Sequence, residues 1–105
     1  MMIRNIHKAI IALLLIGLPS VSFAKRYDVT LPEVASCLKT AQPGDQIYIK
    51  DGQYKDMQLK WIGKGTEKSP ITIEALNPGK VKVEGGSTLR IAGEWLSVSG
   101  LHFTD

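Results

Sequence analysis

The feature that most constrains the fold is a repeat of short runs of alternating apolar and polar residues between Gly44 and Phe103. The run beginning at Gln46 aligns with the run at Pro70, and that run aligns with the one at Trp95, at a nearly constant interval. Self-similarity of this kind is typical of solenoids, in which each unit buries its apolar face against its neighbours. Because the alternation has period two, the units are strands. The repeat therefore predicts coils of β-strands stacked in parallel.

The interval from Gln46 to Pro70 also predicts which side chains stack between coils. It places apolar side chains in the interior and opposite charges outside. The expected pairs are Ile47 with Ile71, Ile49 with Ile73, Met57 with Val81, Leu59 with Val83, Lys50 with Glu74 and Lys60 with Glu84. Cross-strand charge pairs contribute about 0.2–1 kcal/mol each, so we expect them to adjust the register more than they hold the fold. Trp61, in phase with Leu59, is predicted to belong to the core.

Residues 1–24 have the pattern of a secretory signal peptide. Two basic residues precede an apolar run over residues 9–18, Pro19 ends that run, and small residues stand at the two positions that a signal peptidase recognises, 22 and 24. The run is shorter than the roughly 20 apolar residues that a membrane span needs. We therefore predict cleavage after Ala24. The mature chain would begin at Lys25, lie in the periplasm or be secreted, and not be bound to a membrane.

Removal of the leader changes the net charge of the chain. It takes away two of the 13 basic residues and none of the 10 acidic residues, which leaves 11 − 10 = +1. This small charge, without a basic stripe interleaved with aromatic residues, argues against a nucleic-acid partner. Cys37 is the only cysteine in the sequence, so an intramolecular disulfide is excluded.

Residues 31–41 change from strand-like to helical spacing. Thr30 is a suitable N-cap, and residues 42–44 (QPG) end the helix. One face of this helix is apolar and carries Val34, Cys37, Leu38 and Ala41. We interpret the helix as an N-terminal cap that covers the open end of the first coil. On that face Cys37 is predicted to be a small buried hydrophobe and not a nucleophile, since no histidine lies near it in the sequence.

Five segments carry a resemblance to a known family. In order they are residues 43–54 (PGDQIYIKDGQY), 63–66 (GKGT), 69–73 (SPITI), 77–81 (NPGKV) and 85–103 (GGSTLRIAGEWLSVSGLHF). Together they resemble the N-terminal coils of the chondroitinase B-like polysaccharide lyases, a family that also contains alginate lyases. The resemblance implies an all-β protein, a right-handed parallel β-helix with an N-terminal capping α-helix. It also implies an enzyme that cleaves uronic-acid-containing polysaccharide, of the alginate or chondroitin/dermatan sulfate type, by β-elimination.

The same resemblance implies an active site that lies outside this sequence. In the family, calcium is associated with neutralising the uronate carboxylate, a lysine with removing the proton on C5, and an arginine with protonating the leaving group. Those groups lie on later coils, so no catalytic residue and no calcium ligand is assigned here. We interpret residues 25–105 as the cap and first coils of a β-helix that is truncated at its C-terminus. Its open end at residues 101–103 is expected to favour self-association.

Trp95 is the one candidate for contact with the acidic polysaccharide. By alternation with Leu96 and Val98 its indole points outward, where it can stack on a sugar ring. The alternative is that it covers the adjacent turn at residues 93–94, since scattered surface aromatics are common.

Charged side chains on the outward faces are interpreted as a solvated surface. Lys50, Lys60 and Arg90 fall in this class, because the first two already have partners in the predicted register. Four carboxylates supply the oxygen atoms that calcium prefers, but a site needs about six to eight converging oxygens and the predicted register does not bring them together. These carboxylates are Asp51, Asp56, Glu74 and Glu84. His102 has no serine, cysteine or metal-ligand partner at a useful spacing.

Two other classes of function share this scaffold, because a fold does not determine a function. One is a non-catalytic carbohydrate-binding or structural β-helix protein. The other is a β-helical glycoside hydrolase, which needs two carboxylates at a defined separation. No such pair converges in the predicted register.

Overall fold

The computed structural model describes residues 24–104. The predicted signal peptide lies outside them except for Ala24. The described part consists of nine strands, one 3-10 helix and one short α-helix. The strands are β1 (Arg26–Val29), β2 (Gln46–Ile49), β3 (Gly52–Lys55), β4 (Gln58–Lys64), β5 (Ile71–Ala75), β6 (Val81–Glu84), β7 (Thr88–Glu94), β8 (Leu96–Ser99) and β9 (Leu101–Phe103). The 3-10 helix spans Leu31–Glu33, and helix α1 spans Val34–Thr40.

The strands form three parallel sheets that enclose a common interior. Sheet 1 has the order β1-β2-β5-β8, sheet 2 the order β3-β6-β9, and sheet 3 pairs β4 with β7. The first coil therefore consists of β2, β3 and β4, the second of β5, β6 and β7, and the third begins with β8 and β9. Every pairing between coils is parallel. The predicted parallel β-helix is confirmed.

Inward-facing residues of the strands form the core, as the period-two alternation predicts. Strand β5 alternates strictly, with the side chains of Ile71 and Ile73 fully buried between half-exposed neighbours. Trp61 is also fully buried, which confirms its assignment to the core, although its indole N–H has no hydrogen-bond partner within the described residues. The fully buried apolar side chains are Leu31, Val34, Ile47, Ile49, Trp61, Ile71, Ile73, Val81 and Val83.

The predicted register between the first two coils of sheet 1 is wrong by two residues. Ile47 pairs with Ile73 and not with Ile71, and Ile49 pairs with Ala75. The second coil is thus displaced by two positions from its predicted place beside the first. A displacement by an even number keeps the same side chains on the inner face, so the burial of these residues was predicted correctly while their neighbours were not.

The predicted stacking of Met57 and Leu59 on the sixth strand is also wrong. The segment Gly52–Lys55 (β3), which was not predicted, is a strand, and its Tyr54 pairs with Val83. Leu59 belongs to sheet 3 and pairs with Leu89. The reason is that each coil has three strands joined by corners of different length. No single shift therefore aligns all three sheets.

The N-terminal cap consists of a strand and a helix, of which only the helix was predicted. Strand β1, which the sequence analysis did not predict, extends sheet 1 by pairing in parallel with β2. Helix α1 packs against β4 instead, where a Cβ added at Gly63 would lie 3.1 Å from Leu38. The strand therefore covers the edge of sheet 1, and the helix covers the interior beside sheet 3.

The helical segment ends one residue before its predicted end, Ala41, and begins as a 3-10 turn. The carboxylate of Glu33 accepts a hydrogen bond from the backbone N–H of Thr30 at 3.1 Å and a second from its hydroxyl group. These bonds to Thr30 hold the pKa of Glu33 below its usual value. Leu31, Val34 and Leu38 are buried, whereas Cys37 and Ala41 are only partly buried against the core.

The last rung of the described β-helix exposes apolar side chains. Ile91, in register with buried Trp61, is 49% exposed, and Phe103, in register with Val83, is 47% exposed. Self-association through this surface stays a prediction. Within residues 24–104, no helix is long and apolar enough to cross a membrane.

Candidate functional site

The structure places Trp95 at the corner between β7 and β8. Its backbone has φ = +53°, which is uncommon for a residue other than glycine, and its side chain is 54% exposed. The carbonyl group of Trp95 accepts a hydrogen bond from the backbone N–H of Ile71 at 3.0 Å, so the corner is fixed to the coil below. The outward orientation that was predicted is present. Its role in sugar binding stays a prediction.

Two glycines allow the backbone to pass close to this corner. A Cβ at Gly65 would lie 2.5 Å from the carbonyl oxygen of Trp95. A Cβ at Gly93 would lie 1.9 Å from the carbonyl oxygen of Gly63. Both distances are too short for any side chain. The exposed indole therefore stands on a corner whose backbone position is set by close packing of neighbouring coils.

The basic residues on the outer faces do not have the partners predicted for them. The neighbour of Glu74 in the first coil is Tyr48, and the neighbour of Glu84 is Lys55. Lys60 pairs in register with Arg90, so two positive charges lie side by side on sheet 3. The predicted ion pairs of Lys50 and Lys60 are therefore wrong, for the same reason as the register itself.

Lys60 and Arg90 line a shallow depression of about 320 Å³ on the outer face of sheet 3. Both side chains are exposed, and parallel strands place neighbouring residues about 4.8 Å apart. Two cations at that spacing repel each other weakly and attract anionic groups such as carboxylates. The remaining lining residues are Gln58, Leu59 and Thr88.

Replacement of Arg90 tests this register directly. Arg90→Glu is expected to stabilise the chain by about 0.2–1 kcal/mol, because a like-charged neighbour of Lys60 becomes an opposite charge. Arg90→Gln, which removes the repulsion without adding attraction, is the control and should lie between the two. Urea unfolding of the three proteins measures the difference. No gain for Arg90→Glu over Arg90→Gln would contradict the pairing of Lys60 with Arg90.

The carboxylates that were considered as calcium ligands are dispersed over the surface. Asp51 accepts hydrogen bonds from the side-chain amide of Asn77 at 2.9 and 3.1 Å, and Asp56 accepts one from the backbone N–H of Gly86 at 2.8 Å. Both sets of bonds connect corners of successive coils. In the part of the chain that the structure describes, no three His, Cys, Asp or Glu residues are grouped so that they could hold a metal ion. The acidic residues within 24–104 therefore do not fit a calcium site.

Within residues 24–104, the structure does not pair Cys37 with a histidine. Burial raises the pKa of the Cys37 thiol, which favours the unreactive protonated form. His102 lies on β9 beside Lys82, whereas Cys37 lies on the helix that packs against β4. The interpretation of Cys37 as part of the apolar face holds, although its side chain is partly and not fully buried.

Asp45 is a buried polar residue that was not predicted from the sequence. Its side chain is only 1% exposed, and it is the one buried charged residue within the described part of the chain. One carboxylate oxygen accepts a hydrogen bond from the backbone N–H of Lys25 at 2.9 Å, and the other accepts one from the backbone N–H of Gln42 at 2.8 Å. The available signal was the PGD turn at residues 43–45, because aspartate in turns often binds nearby backbone N–H groups.

Comparison with protein families identifies the group to which these coils belong. A family model described as Chondroitinase B matches residues 29–105. The chain belongs to the chondroitinase B family. The match begins within β1 and includes the helix and all the strands that follow. The resemblance stated from the sequence is thereby confirmed.

Solved structures of polysaccharide lyases are similar to this member of the chondroitinase B family. A point variant of the PL6 family alginate lyase AlyGC is 44% identical, with a TM-score of 0.71 over 76% of this chain. The PL6 family polysaccharide lyase Pedsa3628 from Pseudopedobacter saltans is 31% identical, with a TM-score of 0.68 over 77% of this chain. A mannuronic acid specific family 6 lyase from human gut microbiota is 34% identical, with a TM-score of 0.62 over 73% of this chain.

The similarity extends over a small part of each of these enzymes. The chain covers 11% of the AlyGC variant and 19% of each of the other two structures. A comparison with curated proteins gives no match. Membership of the chondroitinase B family is therefore established for the cap and first coils, which are the part that the chain shares with these lyases.

Proposed function

We propose that this chain is the N-terminal section of an exported lyase that cleaves uronic-acid-containing polysaccharide by β-elimination. The observation that carries the proposal is the similarity to AlyGC, a PL6 family alginate lyase, at 44% identity over 76% of this chain. Identity at that level over consecutive coils is stronger support than fold similarity alone, since β-helices serve many functions.

We infer that the chemistry of such a lyase is completed by groups outside residues 24–104. β-Elimination removes the weakly acidic proton on C5 of the uronate and expels the sugar linked through O4. A base, an acid and a group that neutralises the carboxylate must therefore meet at one sugar ring. The carboxylates of Asp51 and Asp56 accept hydrogen bonds from Asn77 and Gly86, and no cluster within residues 24–104 is grouped to hold a metal. We place the catalytic groups, and the calcium expected for the family, on further coils.

Within that enzyme, this section serves as the closed end of the solenoid. Strand β1 and helix α1 cover one end of the interior, while β7 and β9 present the exposed apolar side chains of Ile91 and Phe103 at the other. Stacked coils bury such surfaces only against a neighbouring coil. The section thus supplies a capped template on which further coils stack, and the leader predicted before Lys25 directs it to the periplasm or the exterior.

The substrate proposed first is alginate. Two of the similar structures are named as an alginate lyase and as a mannuronic acid specific lyase, and mannuronic acid is a uronic acid whose polymer is anionic. The exposed pair of Lys60 and Arg90 on sheet 3 is compatible with a polymer that carries a carboxylate on each residue. Chondroitin and dermatan sulfate are the second class of polymer to test.

Incubation of the chain with alginate, and separately with dermatan or chondroitin sulfate, tests this proposal. With calcium present, we expect the chain from Lys25 to Asp105 to give no unsaturated uronate, measured by its ultraviolet absorbance. A chimera in which this section replaces the equivalent coils of AlyGC is expected to cleave alginate, with AlyGC itself as the positive control.

The possible outcomes separate the candidate functions. Unsaturated product from the chain alone would contradict our placement of the catalytic groups on other coils. New reducing ends without unsaturated product would instead indicate a glycoside hydrolase. A folded chimera that is inactive would contradict the role of this section as an interchangeable end of a lyase.

A further inference from the structure

We propose that removal of the leader after Ala24 creates an internal ligand for Asp45. The new α-ammonium group of Lys25 forms an ion pair with the buried carboxylate and strengthens the N-terminal cap. The inference rests on the cleavage position predicted from the sequence. It is independent of the catalytic activity proposed above.

The geometry of Asp45 carries this proposal. Asp45 is 1% exposed, and one of its carboxylate oxygens lies 2.9 Å from the backbone nitrogen of Lys25. The predicted cleavage bond joins Ala24 to that same nitrogen. The buried acid of the described chain is therefore in direct contact with the atom that processing would convert from an amide to an amine.

Cleavage changes the charge of this contact without changing its position. Water adds across the Ala24–Lys25 peptide bond, Ala24 leaves as a carboxylate, and the nitrogen of Lys25 gains protons to become an ammonium group. The present hydrogen bond already has one ionised partner, the carboxylate of Asp45; an ammonium donor makes both partners ionised and adds the Coulomb attraction of opposite charges. An existing backbone hydrogen bond would thus become an ion pair with a carboxylate that is shielded from water.

The surrounding structure leaves room for this change. Ala24 is exposed, and a Cβ added at Gly44 would lie 3.7 Å from Ala24 and 3.6 Å from Ser69. Removing Ala24 therefore opens space in which the other protons of the ammonium group can bind water. The carbonyl group of Lys25 remains bound to the backbone N–H of Gln46 at 2.8 Å, so β1 keeps its position beside β2.

Asp45 is bonded to three parts of the fold, so a stronger contact at Lys25 stabilises all three. Its second carboxylate oxygen binds the backbone N–H of Gln42, directly after the helix, and its carbonyl group accepts a hydrogen bond from Thr72 of β5 at 3.1 Å. An ion pair at Lys25 therefore stabilises the start of β1, the end of the helical segment and the contact with the second coil together. The processed chain is the form in which the cap is complete.

Four proteins test the proposal as a double-mutant cycle. They begin at Lys25 or at Ala24, and each carries either Asp45 or Asp45→Asn. The two starting points are matched in having one free α-ammonium group; they differ by the single residue Ala24 and in whether that group lies on Asp45. With Asp45 present, we expect the Lys25 form to melt about 4–8 °C higher than the Ala24 form. With Asp45→Asn, the difference should fall to about 1 °C or less.

The pH dependence gives a readout that a purely structural role of Asp45 would not move. An α-ammonium group titrates at about pH 7.7–8.0 when unfolded, and pairing with a carboxylate raises its pKa in the folded chain. The higher stability of the form that begins at Lys25 is therefore fully present below about pH 7.7. It is lost as the pH rises through the raised pKa of the α-ammonium group in the folded chain. The charged side chains of Lys25 and Arg26 are present in both forms, so the comparison isolates the α-amino group.

Equal melting temperatures of the two forms that carry Asp45 would overturn the proposal, as would a gain that persists above about pH 10. These comparisons need no variant, so they remain decisive even where Asp45→Asn fails to fold. N-terminal sequencing of the exported protein tests the cleavage itself. A first residue other than Lys25 would also overturn the inference.

Discussion

Gly93→Ala is expected to destabilise the chain by more than about 4 kcal/mol, which is exceptional for a single substitution. A Cβ at this position would lie 1.9 Å from the carbonyl oxygen of Gly63, with which Gly93 is paired in sheet 3. The backbone also has φ = +116°, a conformation that residues with side chains rarely adopt. Neither strand can move away without breaking the ladder that joins β4 to β7. Urea unfolding followed by circular dichroism measures the loss.

Gly79→Ala is the matched control for this prediction. Gly79 also has a positive φ, +81°, but a Cβ there would have no atom within 4 Å. Only the cost of the left-handed conformation remains, which is about 1–2 kcal/mol. The difference between the two variants isolates the close approach of the β4 and β7 backbones. Equal losses at both positions would mean that this approach is not present.

Ile73→Asp is expected to prevent cooperative folding of the chain. The side chain of Ile73 is fully buried between Ile47 of the first coil and Val98 of the third, with no polar group of a neighbouring strand in register to receive a charge. An unpaired carboxylate in this position must either remain ionised at a cost of several kcal/mol or become protonated and still lack hydrogen bonds. The loss should exceed about 4 kcal/mol and remove the melting transition.

Thr72→Asp adds the same charge one residue earlier, on the opposite face of the strand. Thr72 is half-buried and lies between Gln46 and Ser97, neither of which is charged. We expect a change within about 0.5 kcal/mol, as for most surface substitutions. Similar melting temperatures for the two aspartate variants would show that β5 does not point Ile73 into the interior.

The sequence predicts the burial of Ile73 but not its neighbours. The inward orientation of Ile73 follows from the alternation of apolar and polar residues, and the structure confirms it. Which residue lies beside it does not follow, because a displacement by two residues leaves the alternation unchanged. The sequence therefore predicted the burial of the core and the parallel β-helix, but placed Ile71 where Ile73 lies.

Features that depend on contacts between distant segments could not be predicted from the sequence. Strand β1 is short, and it is recognisable as a strand only through its pairing with β2, which follows the helical segment in the chain. Asp45 acquires its role from the backbone of Lys25, which no local pattern indicates. The exposure of Trp95 was predicted, whereas its corner position requires a positive φ that is uncommon outside glycine.

The family could be recognised from the sequence because its turns occur in a fixed order. Residues 43–54 and 85–103 contain the turn glycines and the buried strands in a single sequence, and the Chondroitinase B match covers both. The active site could not be assigned in the same way. The family resemblance placed the catalytic groups on coils that this chain does not share with it.

The two intervals between successive strands of sheet 2 differ in length, which shows where this fold tolerates insertions. Gly52 pairs with Val81 and Val81 with Leu101, so all three strands lie in one parallel stack. The first of these two intervals is nevertheless the longer by nine residues, as the numbering gives (81 − 52) − (101 − 81) = 9. The corners absorb this difference without disturbing the sheet. A corner of such a solenoid can therefore lengthen into a loop that carries new functional side chains. The strands on either side of it continue to stack as before.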